Sequence, residues 1–318
     1  MSDTIVFLDR DTTDRGDMNL SALESLGDIV YHAITQPSET ASRVSDATII
    51  LTNKVVIGEA EMEAAPHLKL IQVVATGINN VDLDAARKRG IAVCNVSGYS
   101  TEAVAQHVFT FLLNLKTNIH RFAAESGNWH QSPIFTRLDY PITELAGKTF
   151  GIVGLGSIGR AVARIASAFG MRVIAYAREG AESSGDVERL PHEEFLKGAD
   201  VVSLHCPLTP ETKHFINAES LELMKSDAIL LNTGRGDLID EPALVTALQS
   251  GTIAAAAVDV LTPEPPPAGH PFLIAKLDNL MITPHIAWSA YEARQRLVDG
   301  LVENIKAFRA GGKINRVD

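Results

Sequence analysis

Cysteine is nearly absent from this chain, with two residues among 318, Cys94 and Cys206. That is too few for a disulfide framework or a thiolate zinc site, so no metal is expected and a reduced, cytoplasmic setting is. Basic residues are also scarce. The 28 Lys and Arg face 39 Asp and Glu, for a formal charge of -11. Non-specific nucleic-acid binding needs the opposite, a basic surface. No apolar run approaches the roughly 20 residues of a membrane span. The opening stretch MSDTIVFLDRD has no basic segment ahead of an apolar one, so neither a secretory signal nor a membrane is expected. Internal repeats and low-complexity tracts are missing too. What the chain does have is 46% hydrophobic and 21% charged residues. That is the balance of a globular protein, with length enough for two domains.

The strongest positive signal is KTFGIVGLGSIGRAVARIASAFGMRVIAYAR, Lys148–Arg178. An apolar run (Phe150, Ile152, Val153) leads into Gly154-Leu155-Gly156-Ser157-Ile158-Gly159. An alanine-rich helical pattern follows to Ala168, then Gly170 and a second apolar run, Val173–Tyr176. Strand, glycine turn, helix and strand form the βαβ setting in which Gly-x-Gly-x-x-Gly binds a dinucleotide. Gly154 permits the tight turn, Gly156 lets a pyrophosphate approach the backbone, and Gly159 lets the helix pack on the strand. The helix N-terminus then presents its N–H groups to the phosphates.

Short apolar runs before this segment, at Ile5–Leu8, Asp28–Tyr31, Thr48–Leu51, Leu70–Ala75 and Ile91–Val93, read as strands. Leu20–Leu26, Glu59–Ala65 and Leu83–Arg89 read as helices, the last closed by Gly90. Alternation of this kind predicts a parallel sheet covered on both faces. Thr101–Leu115 is one long helix. Gly127–Pro141 reads as a loop whose Trp129, Pro133 and Phe135 must be buried locally, over the active site or in a partner subunit. After Tyr176 strands are expected at Val201–His205, Ile229–Asn232, Ala254–Val260 and Leu280–Thr283, and helices near Ala218–Met224, Glu241–Ser250 and Ala290–Arg309. Pro263 to Pro267 is a stiff loop.

In an open parallel sheet, ligands lie beyond the carboxyl ends of the strands. Three such ends carry polar residues that packing does not explain. Arg235 sits on the glycine-flanked turn Asn232–Gly236. Asp259 closes a strand of small residues, with Glu264 on the proline-rich loop behind it. His285 follows Thr283 and Pro284. Hydride transfer between a nicotinamide and a carbonyl needs a group for the matching proton, and histidine suits that near neutral pH. A carboxylate beside the imidazole favours its protonated form and fixes its tautomer. An arginine can hold a substrate carboxylate bidentately and polarise the reacting carbonyl. Other residues offer less. His205 and Cys206 lie at a strand end without a second ligand pair, and His107, His32 and His67 have no companions visible in sequence.

These residues stand in motifs that resemble the D-isomer-specific 2-hydroxyacid dehydrogenase family along the whole chain. The matching stretches are Val74–Asp82, NVSGYSTEAVAQH at Asn95–His107, Glu144–Arg160, HCPLTPET at His205–Thr212, NTGRGDLID at Asn232–Asp240, DVLTPEPP at Asp259–Pro266 and TPHIAW at Thr283–Trp288. Within the family the pattern is most similar to glycerate dehydrogenases, also called hydroxypyruvate reductases. The resemblance implies an α/β protein of two doubly wound parallel-sheet domains. A Rossmann dinucleotide-binding domain, 101–284, is inserted in a flavodoxin-like substrate domain formed by 1–100 and 285–318. It implies a homodimer joined through the dinucleotide-binding domains and a cleft that closes by hinge motion. The implied reaction interconverts a small 2-oxo acid, hydroxypyruvate or glyoxylate, and its D-2-hydroxy acid. D-lactate or phosphoglycerate dehydrogenase activity, or a non-catalytic dinucleotide sensor, are the alternatives.

By position, the resemblance makes Arg235 the residue that binds and polarises the oxo acid, His285 the acid/base and Glu264 its partner. Ala75, Thr76, Gly77 and Trp288 join Arg235 and His285 at the substrate. Gly154, Gly156, Ser157, Ile158, Gly159, Cys206, Pro207, Thr212, Thr233 and Gly234 would line the cofactor. Thr101 would touch its phosphates or nicotinamide, and Asp259 would hold the carboxamide. One position departs from the NAD pattern, which places an acid for the ribose 2′-hydroxyl at the end of the second strand. Ala177 and Arg178 stand there, and an arginine can neutralise a 2′-phosphate. NADP(H) is therefore favoured over NAD(H), with Glu179 next door as the residue through which NAD could still be held.

Overall fold

The computed structural model describes residues 3–178 and 187–318, and the chain divides into two units, Met1–Ser100 with Trp288–Asp318, and Thr101–Ala287. The first unit opens with β1 (Thr4–Phe7), α1 (Ser21–Glu24), β2 (Asp28–Tyr31), α2 (Pro37–Val44), β3 (Ile49–Thr52), α3 (Glu59–Glu63), β4 (Leu70–Val73), α4 (Leu83–Arg89) and β5 (Ala92–Cys94). Its five strands are all parallel, in the order β2-β1-β3-β4-β5. That is the flavodoxin-like winding. β3 and β4 are buried along their whole length, as central strands covered on both faces should be. The helix α2 was not visible as a periodic pattern. Pro37 opens it at a position where a proline costs nothing, and the Glu39 carboxylate accepts the Gln36 N–H at 2.9 Å to cap it.

The second unit begins with α5 (Thr101–Thr117) and α6 (Ile119–Ala124). It continues through β6 (Thr149–Val153), α7 (Ser157–Ala168), β7 (Arg172–Tyr176), β8 (Glu188–Leu190), α8 (His192–Gly198), β9 (Val201–Leu204) and α9 (Ala218–Leu223). β10 (Ile229–Asn232), α10 (Glu241–Ser250), β11 (Ala255–Val258), α11 (Pro271–Ala275) and β12 (Leu280–Ile282) complete it. The seven strands run parallel in the order β12-β11-β10-β9-β6-β7-β8, a Rossmann winding that reverses between β6 and β9. β11 presents Ala255 and Ala257 to the face that α5 covers with Ala105, Val108, Phe109, Phe111 and Leu112. The opposite face packs Phe195, Leu221, Leu244 and Leu248 against Val202, Leu230 and Ala256.

The last helix, α12 (Tyr291–Arg309), returns to the first unit. It buries Ala293, Leu297, Leu301 and Ile305 at four-residue spacing, with Val298 and Val302 beside them. Arg294 grips Asp17 with two hydrogen bonds of 2.8 and 2.6 Å, and Asn304 donates to the Asn95 carbonyl at 2.7 Å. The division falls after Ala287, not before His285. The reason is local: the N–H groups of His285, Ile286 and Ala287 all bond to Asp259 in the second unit.

Candidate active site

Because every strand of the second sheet runs the same way, all the strand-end turns lie along one edge, and the reversal between β6 and β9 opens a crevice there. Gly154 leaves β6 with φ +98°, a left-handed conformation open to glycine. A Cβ on it would stand 2.6 Å from the Cys206 backbone nitrogen. Any Cβ on Gly159 would collide with the Gly154 carbonyl, so glycine there brings α7 onto β6. Gly156 is different, since a Cβ on it would meet nothing within 4 Å. As N-cap of α7 it offers no side-chain cap to the first-turn N–H groups. Two tight glycines and one facing open space, at an uncapped helix N-terminus, suit a pyrophosphate. The buried Thr233 hydroxyl, which has no hydrogen-bond partner among the described residues, adds a polar atom suited to a bound ligand.

The neighbouring turn after β9 is closed on itself. Thr212 Oγ1 accepts from the Thr209 N–H at 2.8 Å and donates to the Pro207 carbonyl at 2.7 Å. Burial pushes the Cys206 thiol up to about 11, and the Cys94 thiol likewise, so neither is a thiolate nucleophile near neutral pH. Burial also pushes the His205 imidazole down to about 4, and its Nε2 pairs with Ser203 Oγ at 2.8 Å.

Arg235, Glu264 and His285 line one pocket of about 220 Å3, together with Leu208, Gly236, Asp237, Leu261, Thr262 and Pro263. Three strand-end turns supply these charged groups, and each turn is held by polar side chains. After β10, the Asn232 side chain is fully buried. It accepts the Gly234 N–H at 3.0 Å and donates to the Arg235 carbonyl at 2.9 Å, which fixes the turn that presents Arg235. After β11, Glu264 Oε1 accepts the Leu261 N–H at 3.0 Å. That leaves Oε2 to meet His285 Nδ1 at 2.6 Å. After β12, His285 has φ 54°, a strained setting for a residue with a Cβ. Its N–H donates to the Asp259 carbonyl at 2.8 Å.

Asp259, expected to hold the carboxamide, is 1% exposed and directs both carboxylate oxygens to this turn. Oδ1 accepts from Thr283 Oγ1 at 2.5 Å and from the Ile286 N–H at 2.9 Å, and Oδ2 accepts the Ala287 N–H at 2.8 Å. His107, which had no companion in sequence, places Nε2 3.0 Å from Thr283 Oγ1 and 3.7 Å from the Asp259 carboxylate. Burial lowers its basicity, and Asp259 opposes that. Its partners arrive from strands far along the chain, so no local pattern could have shown them.

Ala75, Thr76, Gly77 and Trp288 belong to the first unit. The Ala75 carbonyl accepts the Val96 N–H at 3.1 Å, the Thr76 hydroxyl donates to the Val96 carbonyl at 3.1 Å, and Asn95 donates to the Thr76 carbonyl at 2.7 Å. Trp288 meets Tyr99 edge to face at 6.3 Å. Ala177 and the exposed Arg178 follow β7, whereas Glu179 lies outside the described residues. Among those residues, no helix is long and apolar enough to cross a membrane.

Residues 109–287 match the family profile described as D-isomer specific 2-hydroxyacid dehydrogenase, NAD binding domain. Over their full lengths the chain and a glycerate dehydrogenase of Methylorubrum extorquens are 40% identical across 320 residues. A hydroxypyruvate reductase of Blautia hydrogenotrophica is 40% identical over 321 residues, 99% of each chain. A solved structure from Thermus thermophilus superposes with a TM-score of 0.88 at 37% identity, covering 99% of this chain and 100% of that one. A nicotinamide-dinucleotide fold that matches such relatives from end to end leaves one assignment, and the chain belongs to the D-isomer specific 2-hydroxyacid dehydrogenase family.

Proposed function

We propose that the protein reduces a small 2-oxo acid, hydroxypyruvate or glyoxylate, to the D-2-hydroxy acid, with NADP(H) favoured over NAD(H). The observation that carries this reading is the 2.6 Å contact of Glu264 with His285 Nδ1 in a pocket shared with Arg235. With Nδ1 engaged by the carboxylate, the proton exchanged with substrate is the one on Nε2. Glu264 favours the imidazolium that gives this proton to the carbonyl oxygen, and the neutral imidazole takes it back in the oxidative direction. Arg235 binds the substrate carboxylate and polarises the adjacent carbonyl, so that negative charge developing on its oxygen is stabilised. Asp259 and Asn232 hold the turns that present His285 and Arg235. The bound nicotinamide supplies or accepts the hydride. Gly154, Gly156, Ser157, Ile158, Gly159 and Thr233 fit its dinucleotide.

Support for the cofactor preference comes from Ala177 and Arg178, which stand where an NAD enzyme would place an acid. The protein acts as a homodimer, a reading supported by the apolar segment that follows α6, where Phe135 is 89% and Leu138 77% exposed. Turnover of hydroxypyruvate with NADPH and NADH tests the reaction directly. His285→Ala should lower kcat about 10²–10⁴-fold while leaving cofactor affinity nearly unchanged. Wild-type turnover in that variant would remove His285 from the chemistry.

A further inference from the structure

Glu241 and His270 take no part in the chemistry described above, yet both are buried, 8% and 2% exposed, and paired. Glu241 is the first residue of α10, and His270 is the N-cap of α11. His270 Nδ1 accepts the Phe272 N–H at 3.3 Å, so its proton sits on Nε2, which stands 2.8 Å from Glu241 Oε2. The other oxygen of Glu241 reaches away from the pair and accepts the Thr262 N–H at 3.1 Å. Thr262 lies between Leu261, whose N–H holds Glu264 Oε1, and Glu264 itself, whose Oε2 contacts His285. Burial raises the Glu241 carboxyl, His270 opposes the shift, and Asp237 reinforces it. A buried carboxylate with a polar partner seldom stabilises a fold more than apolar side chains of similar volume would. Its position against the acid-bearing loop offers a better account.

We propose that the Glu241–His270 pair is a positioning clamp for the reaction. By fixing the backbone of Leu261–Glu264, it holds the Glu264 carboxylate on Nδ1 of His285. Neither residue touches substrate. The clamp rests on the assignment of His285 and Glu264 made above. The charged groups that line the pocket with His285 include Glu264, Arg235 and Asp237, and Glu264 is the carboxylate in contact with Nδ1, so displacing it weakens the support the imidazolium receives. Reduction should then fade at lower pH.

The test is the pH profile of kcat/KM for hydroxypyruvate reduction by the full-length enzyme, with NADPH affinity measured alongside. Glu264→Gln should move the alkaline limb down by about one pH unit, the low end of shifts caused by an adjacent charge. Glu241→Ala should move the same limb the same way and lower kcat about tenfold to hundredfold, with NADPH affinity within about twofold of wild type. Combined with Glu264→Gln it should add no further shift. If Glu241→Ala does not fold, Glu241→Met with His270→Leu fills the site with apolar volume and should reproduce the shifted limb. A wild-type limb in the Glu241 variants beside a shifted one in Glu264→Gln would overturn the clamp and leave the acid pair standing, as would additive shifts. An unmoved limb in Glu264→Gln would overturn the acid pair and the clamp with it.

Discussion

Arg178 is exposed at the end of β7, and the charge of Glu211 lies within its field. A hydrogen bond from Thr209 holds the Glu211 carboxyl below its ordinary range, and Arg178 contributes. A 2′-phosphate on the ribose would offer Arg178 a better partner than one solvated carboxylate. Arg178→Ala should therefore weaken NADPH binding about tenfold and NADH binding little, a loss near the low end for a charge-assisted contact because solvent screens it. Ala177→Asp should work in the opposite sense, accepting from a ribose hydroxyl and repelling a phosphate. Comparing kcat/KM for both cofactors in each variant decides the matter. Equal losses would hand the ribose to Glu179. At this scale the sequence was most informative where chemistry narrows the choice of residue. Arg235, Glu264 and His285 were legible because each follows a strand end without an apolar reason to be there. His107, Glu241 and His270 were not. A histidine in a helix or a glutamate at a helix start looks ordinary until distant strands bring its partner.

The strand–turn–helix element built on β6 and α7 shows why some elements can be read directly. Gly154 and Gly159 are fixed by backbone collisions and Gly156 by the open space it leaves for a ligand, so their spacing survives in the sequence as a positional code. β8 left no such trace, because Glu188 and Arg189 are charged residues on an edge strand. α11 has five residues and starts on a proline, too short for a period to show. The collision argument has a measurable consequence. Gly159→Ala would push its methyl into the Gly154 carbonyl, and the only relief is for α7 to move off β6. Overpacking of this kind costs about 1–3 kcal/mol, a fall in Tm of several degrees. The displaced helix N-terminus would bind dinucleotide more weakly as well. A Gly159→Ala protein with unchanged Tm and unchanged NADPH affinity would show that the close approach is not needed.

At the scale of the whole molecule, the alternation of strands and helices foretold two parallel sheets, but not the order of their strands. Strand order depends on which edge each new strand joins, and periodicity carries no information about that. Nor did composition say where α12 belongs. Its buried stripe fits either unit, and the choice is made by Arg294 with Asp17 and Asn304 with Asn95. The Gly127–Pro141 segment had three destinations open to it in sequence. Within its own unit it is braced by polar contacts: Trp129 Nε1 donates to the Phe135 carbonyl at 3.1 Å, and Arg137 bonds to Glu125 at 2.9 Å. Its apolar side chains are nonetheless left outside, with Trp129 57%, Ile134 55%, Phe135 89% and Leu138 77% exposed. A braced segment that displays four large apolar residues is shaped to be covered, and a second copy of the chain is the partner the family resemblance implies. Phe135→Ser with Leu138→Ser should convert the proposed dimer to a monomer in sedimentation equilibrium. Because these side chains are already in water in the single chain, the substitutions should cost the isolated fold little, within about 0.5 kcal/mol. A dimer that persists in the double variant, or a wild-type protein that sediments as a monomer, would count against this surface as the interface.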